Sequence, residues 1–234
     1  MNEVRTITTE VLIVGAGPTG LLLSNLLGAM GVNTIIAERN ESTVTEPRAV
    51  SIDDESMRSL QSAGLANEVK KIVTRGYGSI YKGPNGKTFS EVKPTSKEFG
   101  FDKRNAFEQP KLEELLLNGL DRFASVTSHF KTTLVSFEQS PQNVSASFKT
   151  EEKGEYTIEA KYLIGCDGGQ SRVRKDLQIK MLGSTFKEPW LIVDLKKTRN
   201  KGFHTEVLCD PKRSCISLPG PNGIRRYEFK LHKN

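Results

Sequence analysis

With 234 residues, 36% of them hydrophobic and 26% charged, the chain has material for one large domain or two small ones, and nothing in its composition points to disorder. The net charge of +6 comes from scattered Lys and Arg, densest at Lys196, Lys197, Arg199 and Lys201. Without interleaved aromatics or a reading motif that run is a solvated loop, and no nucleic-acid partner is expected. Cys166, Cys209 and Cys215 have neither CxxC nor metal-ligand spacing, and His129, His204 and His232 stand far apart in the sequence. The expectation is reduced thiols and no metal site.

In chain order, a polar lead-in ends near Thr9 and Val11–Val14 have the length and branching of a buried parallel strand. It runs into Gly15-Ala16-Gly17-Pro18-Thr19-Gly20, a GxGxxG turn. A helix pattern follows (Leu21, Leu22, Leu26, Leu27), then a second apolar run, Thr34 to Ala37, ending on Glu38 and Arg39. This is a βαβ unit with an acid 18 residues after Gly20, close to the offset of a dinucleotide fingerprint. Gly15 permits the tight turn, Gly17 lets backbone approach a pyrophosphate, and Gly20 lets the helix pack on the sheet. The helix N-terminus then meets the phosphate charge, and Glu38 is placed to accept hydrogen bonds from an adenosine ribose. The uncharged stretch from Val11 to Ala37 is long enough to cross a bilayer. Its three glycines in the turn, with Pro18, Thr19, Ser24 and Asn25, make a poor lipid-facing helix, and no secretory h-region precedes it. A soluble cytoplasmic protein without a membrane partner is expected.

Beyond a polar loop, Asn40 to Pro47, Arg48 stands beside the expected nucleotide site. Asp53 reads as the N-cap of a short helix in which Met57 and Leu60 share a face, with Gly64 as its C-cap. From Gly76 the pattern alternates: Ile80, the turn Gly83-Pro84-Asn85-Gly86, then Thr88, Phe89 and Val92 read as a hairpin belonging to a different sheet. A helix beginning at Pro110, with Gln109 at its entrance, carries Leu112, Leu115, Leu116, Leu120 and Phe123 as one stripe. Leu134–Phe137, Val144–Phe148 and Tyr156–Ala160 form an antiparallel meander, with turns at Ser140–Asn143 and Glu152-Lys153-Gly154. Tyr162–Cys166 returns to the buried-strand type and ends on Asp167-Gly168, before a short basic helix with Arg172, Arg174 and Lys175. Residues from Met181 alternate like sheet, with a second hairpin turn at Pro221-Asn222-Gly223.

Asp167-Gly168 has a chemistry of its own or is an ordinary acidic turn. A carboxylate at a strand end can hold a ribityl or ribose hydroxyl, Gly168 allows close backbone approach, and Arg174 can approach phosphate. Taken with GAGPTG and Arg48, these residues resemble the class A flavoprotein aromatic monooxygenases, the p-hydroxybenzoate hydroxylase-like family, above all its 3-(3-hydroxyphenyl)propionate hydroxylase branch and phenol hydroxylase relatives. The matching stretches are VLIVGAGPTGLLLSNLL with Glu38-Arg39, PRAVSIDDESMRSLQSAGL (47–65), QPKLEELL (109–116), YLIGCDGGQSRVR (162–174), PWLIVDL (189–195) and CDPKRSCISLPGPNGIRRYEF (209–229).

The resemblance implies an FAD site: the glycine loop on the pyrophosphate, Glu38 on the adenosine ribose, Arg48 and Gln109 on the ribityl and pyrophosphate side, and Asp167 with Gly168 serving FAD and linked to NAD(P)H use. It implies hydroxylation of a phenolic compound with dioxygen through a flavin 4a-hydroperoxide, with NAD(P)H as electron donor and no protein nucleophile or metal. The implied fold is α/β. A Rossmann-like FAD-binding domain with the meander (1–75 and 105–180) carries an inserted, incomplete mixed β-sheet substrate domain (76–104 and 181–234), and a phenolic acid is bound between the two sheets. No catalytic residue is assigned; Arg225, Arg226 and Tyr227 read equally as ordinary strand residues.

A third flavin motif of this family, a Gly-Asp pair in a GDAAH-like stretch, falls beyond the last residue of the chain. Either a truncated relative or part of a longer protein is expected, and little hydroxylation by the 234 residues alone. A sheet edge left open at Asn234 would call for a partner chain, a homo-oligomer among the choices, or leave the chain poorly stable. Two other functions compete: a flavin-binding module without turnover, and a nicotinamide-dependent dehydrogenase, which shares GxGxxG and Glu38 but leaves the Asp167-Gly168 block and the hairpin unexplained.

Overall fold

The computed structural model describes residues 5–151 and 154–231. His232, Asn234 and the turn residues Glu152 and Lys153 lie outside the described residues. In order the chain forms β1 (Thr6–Val14), α1 (Pro18–Ala29), β2 (Thr34–Ala37), β3 (Ser51–Asp53), α2 (Asp54–Ser62), α3 (Ala66–Ile72), β4 (Thr74–Arg75), β5 (Ser79–Lys82), β6 (Thr88–Val92) and β7 (Arg104–Ala106). Then follow α4 (Gln109–Asn118), β8 (Val126–His129), β9 (Thr132–Gln139), β10 (Val144–Thr150), β11 (Gly154–Gly165), α5 (Arg172–Asp176), β12 (Trp190–Leu195), β13 (Thr205–Leu208), β14 (Cys215–Pro219) and β15 (Arg225–Lys230). Two compact units result, Met1–Glu46 with Leu112–Leu182 and Pro47–Lys111 with Gly183–Asn234.

The first unit holds a six-stranded sheet in the order β8-β2-β1-β11-β10-β9, parallel from β8 to β11 and antiparallel beyond it. β2 pairs only with Val11–Val14 of β1, whereas β10 pairs only with Gly154–Ala160 of β11. The two halves of the long β1–β11 pair thus serve different neighbours, and one core joins them. Leu12, Val14, Ile35 and Ala37 meet Leu134, Ala146, Phe148, Tyr156, Ile158 and Ala160 in that core. Ile13 and Ile36, of opposite parity, are buried as well, so the parallel strands are covered on both faces.

Three expectations change here. The meander is not separate from the strand that leads to Asp167: Tyr156–Ala160 and Tyr162–Gly165 are one continuous strand, β11. Its C-terminal half has β1 as its partner but no β10, whose ladder stops at Ala160, which leaves Tyr162 exposed rather than buried. β1 starts at Thr6, within the stretch read as a lead-in, because Thr6–Thr9 extend the ladder with β11. The buried face of α1 includes Ser24 and Asn25 beside Leu21. Asn25 donates to the carbonyls of Leu21 and Leu116 at 2.9 and 2.8 Å and accepts from Arg122, so its amide is satisfied although buried.

The second unit contains a mixed sheet, β12-β15-β14-β13-β5-β6, in which β13 and β5 are parallel and the other pairs antiparallel. The Gly83–Gly86 hairpin joins β5 and β6 here and does not extend the parallel sheet. The last strand, β15, lies between β12 and β14; the edges are β12 and β6, contrary to the expected open edge at the chain's end. A small antiparallel sheet, β3-β7-β4, flanks α2 and α3 in sequence and has no counterpart among the expected elements. In α2 the Asp53 side chain accepts from the Ser56 N–H at 2.8 Å, and Met57 and Leu60 are buried. Ala63 is the C-cap and Gly64 follows it at φ +75°, with Gly64 and Leu65 donating to the Gln61 and Leu60 carbonyls in a Schellman closure.

Candidate cofactor site

The turn leaving β1 is shaped by contact with the turn leaving β11. The Cys166 N–H donates to the Val14 carbonyl at 2.7 Å, and Gly15 adopts φ +106° with the Cys166 carbonyl 2.5 Å from where a Cβ would stand. A Cβ on Gly20 would meet the Gly15 carbonyl oxygen at 2.0 Å, so α1 can start this close to the strand only with glycine there. A Cβ on Gly17 would meet nothing within 4 Å. Gly17 is the N-cap of α1 and no side chain caps it; Pro18 takes the first helical position, and Thr19 is exposed. A helix start without a side-chain cap is the kind of terminus that attracts phosphate.

Glu38 closes the other side of the same turn. One carboxylate oxygen accepts from the Ala16 N–H at 2.9 Å and the other from the Asn40 N–H at 2.9 Å, while its backbone bonds to His129 and Thr132. The acid at the end of β2 therefore touches the glycine loop directly, a bond that motif spacing does not reveal. Arg39, next to it, is exposed.

Asp167 supports the start of α5, whose N-cap is Ser171: one carboxylate oxygen accepts from the N–H groups of Arg172 and Val173 at 2.6 and 3.2 Å. Its other oxygen is buried and has no hydrogen-bond partner among the described residues. Gly168 has φ +78° with open space where its Cβ would be. Arg174 donates to the carbonyls of Ile179 and Gly169 at 3.2 and 3.4 Å, so part of its guanidinium is already engaged by backbone. Burial, followed by the charge of Asp167, pushes the Cys166 thiol up.

In the second unit Gln109 is buried, and its side-chain oxygen accepts from the N–H groups of Arg48 and Ala49 at 3.0 and 2.8 Å. The Arg48 side chain is exposed and makes no hydrogen bond or ion pair among the described residues. Arg226, left open by the sequence, and Asp194, which no sequence signal singles out, belong to the same cluster. Arg226, 3% exposed, binds Asp194 through two 2.8 Å bonds and the carbonyls of Pro47 and Arg48 at 2.6 and 2.9 Å. Arg225 is also buried, on bonds to Ser217, Gly202 and His204. Both are strand residues of β15 whose guanidinium groups are buried and bonded to the chain itself.

The residues present fit an FAD. In the first unit, an uncapped helix start behind a glycine with open space suits a pyrophosphate, and the unpartnered Asp167 oxygen is an unused acceptor. A cavity of about 320 Å³ opens elsewhere in the first unit, among Arg5, His129, Thr132 and Tyr156, and none of the expected cofactor residues lines it. Among the described residues no His, Cys, Asp and Glu group could hold a metal, and no helix is long and apolar enough to cross a membrane.

A 3-(3-hydroxy-phenyl)propionate/3-hydroxycinnamic acid hydroxylase of Escherichia coli (strain SMS-3-5 / SECEC) is 37% identical over 224 residues, which are 96% of this chain and 40% of the relative. The chain thus spans about 40% of the length of the curated relative it matches. The p-nitrophenol 4-monooxygenase PnpA from Pseudomonas putida DLL-E4 superimposes with a TM-score of 0.89 over 98% of this chain and 59% of its own, at 20% identity. The flavin-dependent monooxygenase PieE, solved with FAD and substrate, gives 0.85 over 97% of this chain and 43% of its own, at 21% identity. At such identity these two share the fold. The resemblance to 3-(3-hydroxyphenyl)propionate hydroxylase relatives carried by the motifs is therefore found across nearly the whole chain. Residues 8–231 match the pattern described as FAD binding domain, and the chain belongs to that family.

Proposed function

We propose that this chain is the cofactor-holding part of an FAD-dependent aromatic hydroxylase that takes electrons from NAD(P)H and adds oxygen from dioxygen to a phenolic compound bearing a carboxylate side chain. The observation that carries the reading is the contact of two turns: Gly15 against Cys166, with an open helix start on one side and a carboxylate oxygen of Asp167 unused on the other. Bound FAD would supply the redox chemistry that activates dioxygen. The protein's part is to bind and orient. The start of α1 offers N–H donors to the pyrophosphate across Gly17, and Glu38 accepts from ribose hydroxyls while it holds the Ala16 amide in place. Arg48 contributes its unpaired positive charge to the pyrophosphate and ribityl side, and Gln109 fixes the backbone that presents it. Asp167 and Gly168 take a ribityl hydroxyl and allow close backbone approach. The functional division proposed is FAD binding by 1–75 and 105–180 and substrate contact by 76–104 and 181–234.

The test is the colour and titration of the purified protein. A flavin absorbance spectrum, FAD binding that quenches flavin fluorescence, and no competition by NAD+ support the reading. A colourless protein that binds NAD+ and ignores FAD overturns it in favour of a dehydrogenase. NADPH oxidation stimulated by phenolic acids, measured on the native gene product once its mass is known, separates a hydroxylase from a flavin-binding module without turnover.

A further inference from the structure

Arg226 does something in the second unit that its neighbour does not. Both arginines of β15 are buried, but Arg225 bonds only to Ser217 of β14 and to the carbonyls of Gly202 and His204, which lead into β13. Arg226 faces the other side of the sheet, in register with Leu218 on β14 and Asp194 on β12. The Asp194 carboxylate takes the Nε–H and one Nη2–H in a two-point pair. That fixes the guanidinium plane and leaves its remaining donors for Pro47 O through Nη2 at 2.6 Å and Arg48 O through Nη1 at 2.9 Å. The same peptide segment is held from its N–H side by the buried Gln109, which accepts from Arg48 and Ala49. Arg48 is therefore clamped at both its N–H and its C=O while its side chain stays exposed and unpaired, which is how a presented cation is built. Pro47 stiffens the entry, since its ring fixes φ.

We propose that the Arg226–Asp194 pair is a positioning device for Arg48, setting the direction in which its guanidinium meets the cofactor. This rests on the reading of Arg48 as a cofactor contact. A lysine cannot replace the arginine, because a single ammonium lacks the planar fork that serves a carboxylate and two carbonyls at once.

The test combines an FAD titration followed by flavin fluorescence with hydrogen exchange at the amides of residues 48 and 49 in the cofactor-free chain. Arg226→Lys should raise the FAD dissociation constant about tenfold, roughly the size of one misdirected charged hydrogen bond between Arg48 and the cofactor. It should also speed exchange at Arg48 and Ala49, and it should add nothing further in an Arg48→Ala background. Asp194→Asn, close in shape, is the second variant should Arg226→Lys fail to fold, and the same pattern is expected of it. An Arg48→Ala effect on FAD that multiplies with that of Arg226→Lys, or amide exchange unchanged by either variant, overturns the proposal while leaving the cofactor reading intact. Wild-type FAD affinity in Arg48→Ala alone overturns the assignment of Arg48, and the positioning role with it.

Discussion

Replacing Glu38 by alanine separates two roles that one carboxylate combines. In the cofactor-free chain the side chain accepts from the N–H groups of Ala16 and Asn40, both at 2.9 Å. Ala16 is 3% exposed, so its amide loses its acceptor where water has little access, at a cost of about 1–3 kcal/mol. Asn40 is exposed and can be rehydrated, so it adds little. The ribose contact is a separate loss of about 1–3 kcal/mol, that is, an FAD dissociation constant raised about 5- to 150-fold. Glu38→Gln keeps one oxygen that can serve Ala16 but puts an NH2 group where an acceptor stood and removes the charge. It should recover most of the stability and little of the affinity. Urea unfolding of the cofactor-free protein measures the first quantity and fluorescence titration with FAD the second. A Glu38→Ala protein that is destabilised yet binds FAD like the wild type would refute the ribose assignment and leave Glu38 as a brace for the glycine loop.

Gly20→Ala places a methyl group 2.0 Å from the Gly15 carbonyl oxygen, so either the turn or α1 must shift; a loss of about 1–3 kcal/mol is expected in thermal unfolding, together with weakened FAD binding. Unchanged melting would mean that the turn is not packed as described. Asp53→Ala removes the cap of α2 and should cost about 1 kcal/mol at neutral pH. Hydrogen bonds from Ser56 hold the Asp53 carboxyl below its usual value, so this contribution is present above the unfolded pKa of about 3.9 and is lost as pH falls through the folded one. The gap between wild type and variant should therefore narrow in unfolding curves taken below about pH 4, and a gap that widens there contradicts the assignment. Cys209 is exposed, while burial raises the pKa of both Cys166 and Cys215. Alkylation at neutral pH followed by peptide mass mapping should label Cys209 first, with Cys166 catching up only as pH rises; equal rates at Cys166 and Cys209 would argue against the packed turn at Cys166.

Features decided by a few neighbouring residues were legible in the sequence. The glycine turn between strand and helix, the acid at the end of β2, the Asp53 cap with Gly64 behind it, and the two Asn-Gly hairpins each depend on local backbone preference or a short hydrogen bond, which residue type and spacing encode. The strands that were not legible are short and polar. β8 reads Val-Thr-Ser-His and is a strand because β2 lies beside it; β3, β4 and β7 have two or three residues each and exist through one another. The continuity of β11 was hidden for a related reason, since its two halves look different only because one is paired on both sides and the other on one. For the site, residue types named the groups in the two turns, but only the tertiary structure showed Glu38 holding the Ala16 amide and Arg226 holding the carbonyl of Arg48, 178 residues away. Such bonds are set by where separate strands come to lie, and no periodicity or spacing along the chain records a partner chosen at that distance.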